Sequence, residues 1–330
     1  MKITADELKE QLKKEIVGQD RAIEAVVRSV MVGELGVCDP QRPLASFLFL
    51  GPTGTGKSEM GRALAKVIHG DCKEVIAINC TEFKNPHDVA KLTGAPPGYV
   101  GHEHPPFLTP EKLQKKFTIL ILEELEKADK ALFDLLLQIL ERGELTTGQG
   151  VHLDFTRCFI FMTSNVGAKE LDHLCRGEIG FHGRGCAIAD LTEQQMAEKV
   201  RSTCMTALEN CFSPEFINRI DEIIIFNSLR ENHLHSILEK FLLDTRARFA
   251  MAGIGTIIDE SAKRFLIEKG FNTRYGARPL RRAIRSFLEF PLASLVVQAG
   301  VGNNQVVHVS RSDNNLTFNL NQLKSGAVIV

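Results

Sequence analysis

The sequence predicts an α/β fold built on a parallel sheet covered on both faces, followed by a second, smaller domain. Five short apolar runs carry the first half of that reading: Phe47–Leu50, Val75–Ile78, Thr118–Leu122, Phe159–Thr163 and Ile223–Phe226. Each is continuous rather than alternating, as expected for strands buried on both faces. Helix-period stretches lie between them, such as Ser58–Ile68 with Met60, Leu64 and Ile68 on one stripe, and Lys130–Leu140 with Leu132, Leu135, Leu136 and Ile139. Strands alternating with helices imply the layered parallel arrangement. After Asn227 the pattern changes to helices over Asn232–Met251, Ser261–Lys269 and Arg278–Gln298. A hairpin of Val306–Ser310 and Leu316–Leu320 follows, across the turn-forming Asp313-Asn314-Asn315. The expected division is therefore residues 1–227 and 228–330, with a charged helix over residues 2–15 opening the chain. No internal repeat or low-complexity stretch interrupts it.

Composition narrows the functional classes. The chain has 330 residues, 44% of them hydrophobic, which suits one or two packed domains. A net charge of -1 argues against a general nucleic-acid binder. No apolar run approaches the roughly 20 residues needed to span a bilayer, so no membrane partner is expected. The first fifteen residues mix Asp6, Glu7, Glu10 and Glu15 with lysines and read as neither a secretory nor a transit peptide. A cytoplasmic location is the default expectation. The 8 cysteines include no Cys-x-x-Cys pair, which disfavours a zinc ribbon and leaves reduced thiols as the expectation, with Cys158 a small core residue. His102 and His104 lack neighbouring ligands at metal spacing.

Gly51-Pro52-Thr53-Gly54-Thr55-Gly56-Lys57-Ser58 fits the phosphate-loop pattern G-x-x-x-x-G-K-[ST]. Small residues are required because backbone N–H groups must wrap the phosphates closely; Lys57 then reaches the β- and γ-phosphates, and the Ser58 hydroxyl suits Mg²⁺. A buried strand precedes the loop and an amphipathic helix follows it, which is the context this motif needs. The run Thr118–Leu122 ends in Glu123 and Glu124. That places two carboxylates at the carboxyl edge of the sheet, beside the phosphate loop. One suits Mg²⁺, through its waters, and the other suits polarisation of the attacking water.

With those motifs in hand, the chain resembles the Clp AAA+ proteins, specifically the carboxyl-terminal ATPase module of ClpB- and ClpC-like chains. The resemblance runs from Ile16-Val17-Gly18-Gln19-Asp20 to the final hairpin. It is carried by the phosphate loop, Gly94-Ala95-Pro96-Pro97-Gly98-Tyr99-Val100-Gly101, Glu124-Leu125-Glu126-Lys127-Ala128, Thr163-Ser164-Asn165, Pro214-Glu215-Phe216-Ile217-Asn218-Arg219-Ile220-Asp221 and Tyr275-Gly276-Ala277-Arg278-Pro279-Leu280. It implies an AAA+ P-loop NTPase fold with a five-stranded parallel sheet, and a small carboxyl-terminal helical lid domain with a β-hairpin. It also implies ATP and Mg²⁺ as ligands. Val17 would line the adenine pocket and Asn165 would help place the attacking water. Arg219 would reach the nucleotide of an adjacent subunit. Arg278 would sense the γ-phosphate. Tyr99 and Val100 would grip polypeptide in the central pore of a homo-hexamer. Arginine suits a developing phosphoryl charge because it stays ionised and offers forked donors.

The sequence also departs from that family. Glu123 stands where the family writes Asp, and the extra methylene bears on hydrolysis more than on binding, because Mg²⁺ demands near-ideal octahedral geometry. His102–Pro110 replaces a glycine-rich segment. Three functions follow in order. The first is an ATP-driven unfoldase or disaggregase acting on unfolded or aggregated protein. The second is a slow or non-hydrolysing ATP-binding scaffold, motivated by Glu123. The third is a nucleic-acid-acting motor, against which the near-neutral charge and the Tyr99 loop argue. Ile179-Gly180-Phe181, in a glycine-rich stretch, resembles the loop with which ClpC-like chains dock a ClpP-type peptidase. Glu289-Phe290-Pro291-Leu292-Ala293 looks more ClpB-like and points the other way.

Overall fold

The computed structural model describes residues 3–96, 98, 102–103, 105–168, 170–171, 193–271, 276–299 and 305–322. The chain divides into two compact units, Met1–Asn227 and Ser228–Val330.

The first unit opens with helices α1 (Ala5–Glu15) and α2 (Asp20–Leu35). Thr4 caps α1 reciprocally with Glu7, each side chain accepting from the other's backbone N–H. Then come β1 (Ala45–Leu50), α3 (Lys57–His69), β2 (Ile76–Asn79), α4 (Ala90–Thr93), α5 (Pro110–Leu113), β3 (Thr118–Glu123) and α6 (Lys130–Arg142). A small hairpin, β4 (Glu144–Thr146) with β5 (His152–Asp154), leads into β6 (Cys158–Thr163). Helices α7 (Glu193–Cys211) and α8 (Pro214–Asn218) precede β7 (Glu222–Ile225). Five strands pair in the order β2-β3-β6-β1-β7, every neighbouring pair parallel.

The pleat explains why the strand sequences are apolar throughout. Successive side chains alternate between faces. Phe47, Phe49, Ile119, Ile121, Phe159 and Phe161 pack with residues of α1, α2 and α3, among them Leu8, Val26 and Leu64. Leu48, Leu50, Leu120, Leu122, Ile160 and Met162 pack on the opposite side with Leu132 and Leu136 of α6 and Leu208 of α7. Strand β2 differs because it lies at the sheet's edge: Ile76 and Ile78 are buried, whereas Ala77 and Asn79 are exposed. Aromatic rings bind the centre of the sheet, with Phe47 and Phe161 stacked at 5.1 Å and Phe49 tilted against Phe226 at 4.8 Å. Cys158 and Cys204 are buried free thiols. Burial pushes their pKa values up to about 12 and about 11, so both stay protonated and act as small apolar groups.

In the second unit α9 (Glu231–Met251), β8 (Ile254–Ile258), α10 (Glu260–Gly270), α11 (Arg278–Ala283), α12 (Phe290–Ala299), β9 (Gln305–Ser312) and β10 (Asn315–Gln322) enclose their own core. That core includes Leu234, Leu238, Phe265, Leu280, Leu288 and Val307. The hairpin β9–β10 is antiparallel, and β8 adds a third, parallel strand that the sequence reading did not anticipate. The expected helix over Arg278–Gln298 runs on from Arg278 to Ala299 but winds as a π-helix over Ile284–Glu289, after which the Phe290 N–H reaches back five residues to the Arg285 carbonyl. Pro291 accounts for this. It has no N–H to give, and in an α-helix its ring would press on the carbonyl four residues earlier, so the ladder widens before it. Among the described residues no helix is long and apolar enough to cross a membrane.

Phe49 is fully buried and touches three other rings. Phe49→Ala is expected to cost about 3–5 kcal/mol of stability, read as a lower urea midpoint at unchanged slope.

Candidate functional site

The strand order places the chemistry. Strand β6 lies between β3 and β1, so the carboxyl ends of three adjacent strands deliver three kinds of group to one edge. Strand β1 runs into the glycine loop and α3, β3 ends in Glu123 and Glu124, and β6 leads through Ser164 to Asn165. Register aligns them, with Leu48 and Leu122 both opposite Met162.

The loop backbone takes conformations that other residues resist. Gly51, Gly54 and Gly56 have φ of 127°, 74° and 102°. A Cβ on Gly51 would stand 2.7 Å from the Phe226 carbonyl oxygen, a backbone atom that cannot step aside. The Thr55 hydroxyl donates to Pro52 O at 3.0 Å and braces the turn from within. Gly56 caps α3 without any side-chain acceptor, so the first-turn N–H groups of a 13-residue helix meet the loop unanswered by a cap. A helix start of this kind favours an anion.

Lys57 is only 7% exposed. Its ammonium donates to Gly51 O at 2.5 Å, Pro52 O at 2.8 Å and Asn165 Oδ1 at 3.0 Å. Asn165 in turn donates to Glu126 Oε1 from both its backbone N (3.2 Å) and its Nδ2 (3.3 Å). Thus two predicted site residues from different strands meet directly, and Glu126, to which the sequence reading gave no role, completes the line. Burial, with a smaller contribution from the charges of Glu126, Glu123 and Glu124, pushes the thiol of Cys80 up to about 12.

The two acids after β3 part company. Glu124 sits at φ 56°, ψ 50°, the left-handed region that a non-glycine residue adopts at a cost of order 1–3 kcal/mol. Its N–H donates to Thr163 Oγ1 at 3.3 Å. Glu123 instead forms an ion pair with Arg62 of α3 at 2.8 Å. Ser58 follows Lys57 in the first turn of α3 and is half-buried.

Ile16 and Gln19, on either side of the segment Val17-Gly18, lie beside the loop. Ile16 Cδ1 is 4.0 Å from where a Gly56 Cβ would stand, and Gln19, 3% exposed, donates from Nε2 to Thr55 O (3.4 Å) and Asn227 O (3.0 Å). The Asn227 N–H returns a bond to Gln19 Oε1 at 3.0 Å. Arg219, at the end of α8, is apart from this cluster: its guanidinium donates to Glu141 of α6 at 3.0 Å, and its side chain is 40% exposed. Its backbone is clamped, since Arg42 donates to the Arg219 carbonyl and pairs with Asp221, which also holds Ser46. Arg278 is exposed at the start of α11 in the second unit. Tyr99, Val100 and Ile179-Gly180-Phe181 lie outside the described residues.

The donor chemistry fits a nucleoside triphosphate with Mg²⁺. A buried ammonium and an uncapped helix start answer the phosphates. Among the described residues no group of three or more His, Cys, Asp or Glu is placed to hold a metal ion.

Comparison with known proteins gives the family. The profile of the AAA domain (Cdc48 subfamily) matches residues 42–223, and that of the C-terminal, D2-small domain of ClpB protein matches residues 229–309. The chain belongs to the AAA+ family, in its Clp branch. It is 38% identical to the chaperone protein ClpB of Aquifex aeolicus over 314 residues, covering 94% of this chain and 30% of that protein. It is 37% identical to the ATP-dependent Clp protease ATP-binding subunit ClpC of Staphylococcus saprophyticus, covering 97% of this chain and 38% of that one. Its fold matches Hsp104 in a closed-state reconstruction with ATPγS and FITC casein, at a TM-score of 0.81 and 30% identity, over 96% of this chain and 51% of that chain. The chain thus spans about a third of the length of these sequence relatives and half of the structural one.

Gln19→Ala is expected to cost about 1–3 kcal/mol, because it orphans the buried backbone groups of Asn227 and Thr55. Chemical denaturation of the two proteins side by side measures it.

Proposed function

We propose that this chain is an ATP-hydrolysing unfoldase or disaggregase subunit that threads polypeptide through a hexameric pore. The observation that carries the reading is the buried Lys57 ammonium, poised between the loop carbonyls and Asn165 at the edge where the acids also emerge. In this reading Lys57 leaves the loop carbonyls for the β- and γ-phosphates, and the loop N–H groups from Gly51 to Ser58 wrap the phosphate chain. Ser58 and Glu123 would hold Mg²⁺, which supplies charge neutralisation on the phosphate oxygens when bound. Glu124 accepts the proton of the attacking water and Asn165 orients that water. Val17 lines the base. Arg219, exposed on a clamped backbone, reaches a neighbouring subunit's nucleotide. Arg278 answers the γ-phosphate from the second unit, and Tyr99 and Val100 grip the substrate. The casein complexes of Hsp104 support a polypeptide substrate. The ClpC relative is named as a subunit of a Clp protease, which supports the Ile179-Gly180-Phe181 stretch as a peptidase contact. A cytoplasmic location belongs to the same reading.

A second reading, a nucleotide-binding scaffold that turns over slowly, is favoured by the Arg62–Glu123 ion pair, which engages the carboxylate meant for the metal's waters. Steady-state ATP hydrolysis with and without an unfolded protein, and with DNA in its place, separates the readings: the leading one requires turnover that unfolded protein stimulates and DNA does not. Lys57→Ala is expected to abolish nucleotide binding or turnover, and unchanged affinity and rate would remove the assignment of the site. Glu123→Asp shortens the side chain away from Arg62 and is expected to raise hydrolysis; a lower rate would show a backbone adapted to the longer acid. Arg219→Ala alone is expected to be inactive yet to regain part of its turnover when mixed with Lys57→Ala subunits, with full activity of the single variant refuting the role.

A further inference from the structure

Glu126 belongs to neither of the roles that its neighbours Glu123 and Glu124 take. It sits on the short 3-10 turn Leu125–Lys127, directly after the left-handed Glu124. One carboxylate oxygen accepts both the backbone N–H and the side-chain amide of Asn165. The other, Oε2, is buried and has no hydrogen-bond partner among the described residues. Burying an acceptor without a partner is unfavourable. A carboxylate retained there despite that cost needs a reason beyond capping a turn.

The reason lies in the amide of Asn165. An amide can face either way about its last bond, and only its partners decide which. Lys57 is a pure donor and an ionised carboxylate a pure acceptor. With Oδ1 on Lys57 Nζ and Nδ2 on Glu126 Oε1, both contacts are satisfied. Turned over, the amide would set donor against donor and acceptor against acceptor. The two charged groups therefore lock one orientation from opposite ends. When Lys57 moves to a phosphate, only Glu126 still holds the amide, with Oδ1 left as a fixed acceptor facing the reaction space.

We propose that Glu126 is a positioning residue for ATP hydrolysis, fixing the Asn165 amide with its acceptor oxygen toward the phosphate end of the site. The proposal rests on the ATPase reading above and names a residue that acts through Asn165 rather than on substrate. It predicts a loss of turnover without a matching loss of affinity, and rescue by a side chain that keeps an oxygen in place. The amide introduced by Glu126→Gln can still present an oxygen to Asn165; the methyl left by Glu126→Ala cannot.

The test measures binding of a fluorescent ATP analogue and steady-state ATP hydrolysis for the full chain as wild type, E126A, E126Q, N165A and N165A/E126A, with thermal melts alongside. E126A is expected to lose about tenfold or more in turnover, the scale of losing an orienting outer-shell partner, while its affinity stays within about threefold of wild type. E126Q keeps most of the wild-type rate, and E126A adds no further loss on the N165A background. Wild-type turnover in E126A, an E126Q as slow as E126A, or a full additive loss in the double variant overturns the proposal. Should E126A melt early, N165D carries the test: its new carboxylate faces that of Glu126, and N165D/E126Q must recover turnover relative to N165D, with no recovery overturning the idea. Failure of the ATPase reading itself shows separately, as a wild-type chain that neither binds nor hydrolyses ATP.

Discussion

A lysine ammonium can be buried only where oxygens replace its water, and the site is organised around that requirement at Lys57. Its acceptors include two carbonyls of the loop it closes and a side chain that follows a different strand. The loop can present those carbonyls only because Gly51, Gly54 and Gly56 take backbone angles that other residues resist. The side-chain acceptor arrives only because β6 is inserted between β1 and β3. Sheet order, glycine placement and the charge on Lys57 are thus one constraint seen at three scales. The same arrangement leaves the ammonium ready to exchange weakly charged carbonyls for phosphate oxygens, a stronger charge-assisted partner.

The acids show how backbone turns and neighbours divide three identical side chains. Glu123 and Glu124 are adjacent in sequence, yet Arg62 engages the Glu123 carboxylate while the chain turns left-handed at Glu124. Glu126 is held by a third element, through Asn165. Three carboxylates within four residues repel one another, and Cys80, whose thiol is held protonated by burial and, to a smaller degree, by them, samples that field. Arg62 offsets part of it from α3. The pair therefore ties the phosphate-loop helix to the strand carrying the acids, whatever its effect on a metal.

Much of this was legible in the residues. The five strands could be read because a two-faced strand is apolar at every position, and the structure assigns odd and even residues to opposite covers. The loop and the acids could be read because their chemistry dictates small residues and carboxylates at a strand end. Helix α2 was not anticipated, although Ile23, Val26, Val27 and Val30 repeat with helical spacing. Other features had no local signal. Strand β8 is defined by its pairing with β9, a partner some fifty residues on. The π-helical stretch follows from Pro291 acting backwards on the preceding turn. Glu126 reads locally as one more charge at a helix start. Its contact with Asn165, across 39 positions in sequence, exists only once β3 and β6 are neighbours.

The central claim is that ATP binds where the carboxyl ends of β1, β3 and β6 meet. Amide hydrogen exchange of the chain with and without ATP and Mg²⁺ tests it most directly. ATP is expected to slow exchange over Gly51–Met60 and at Asn165 while leaving the hairpin β9–β10 unchanged. Unaltered exchange across those segments at saturating ATP, or protection confined to another part of the fold, would contradict it.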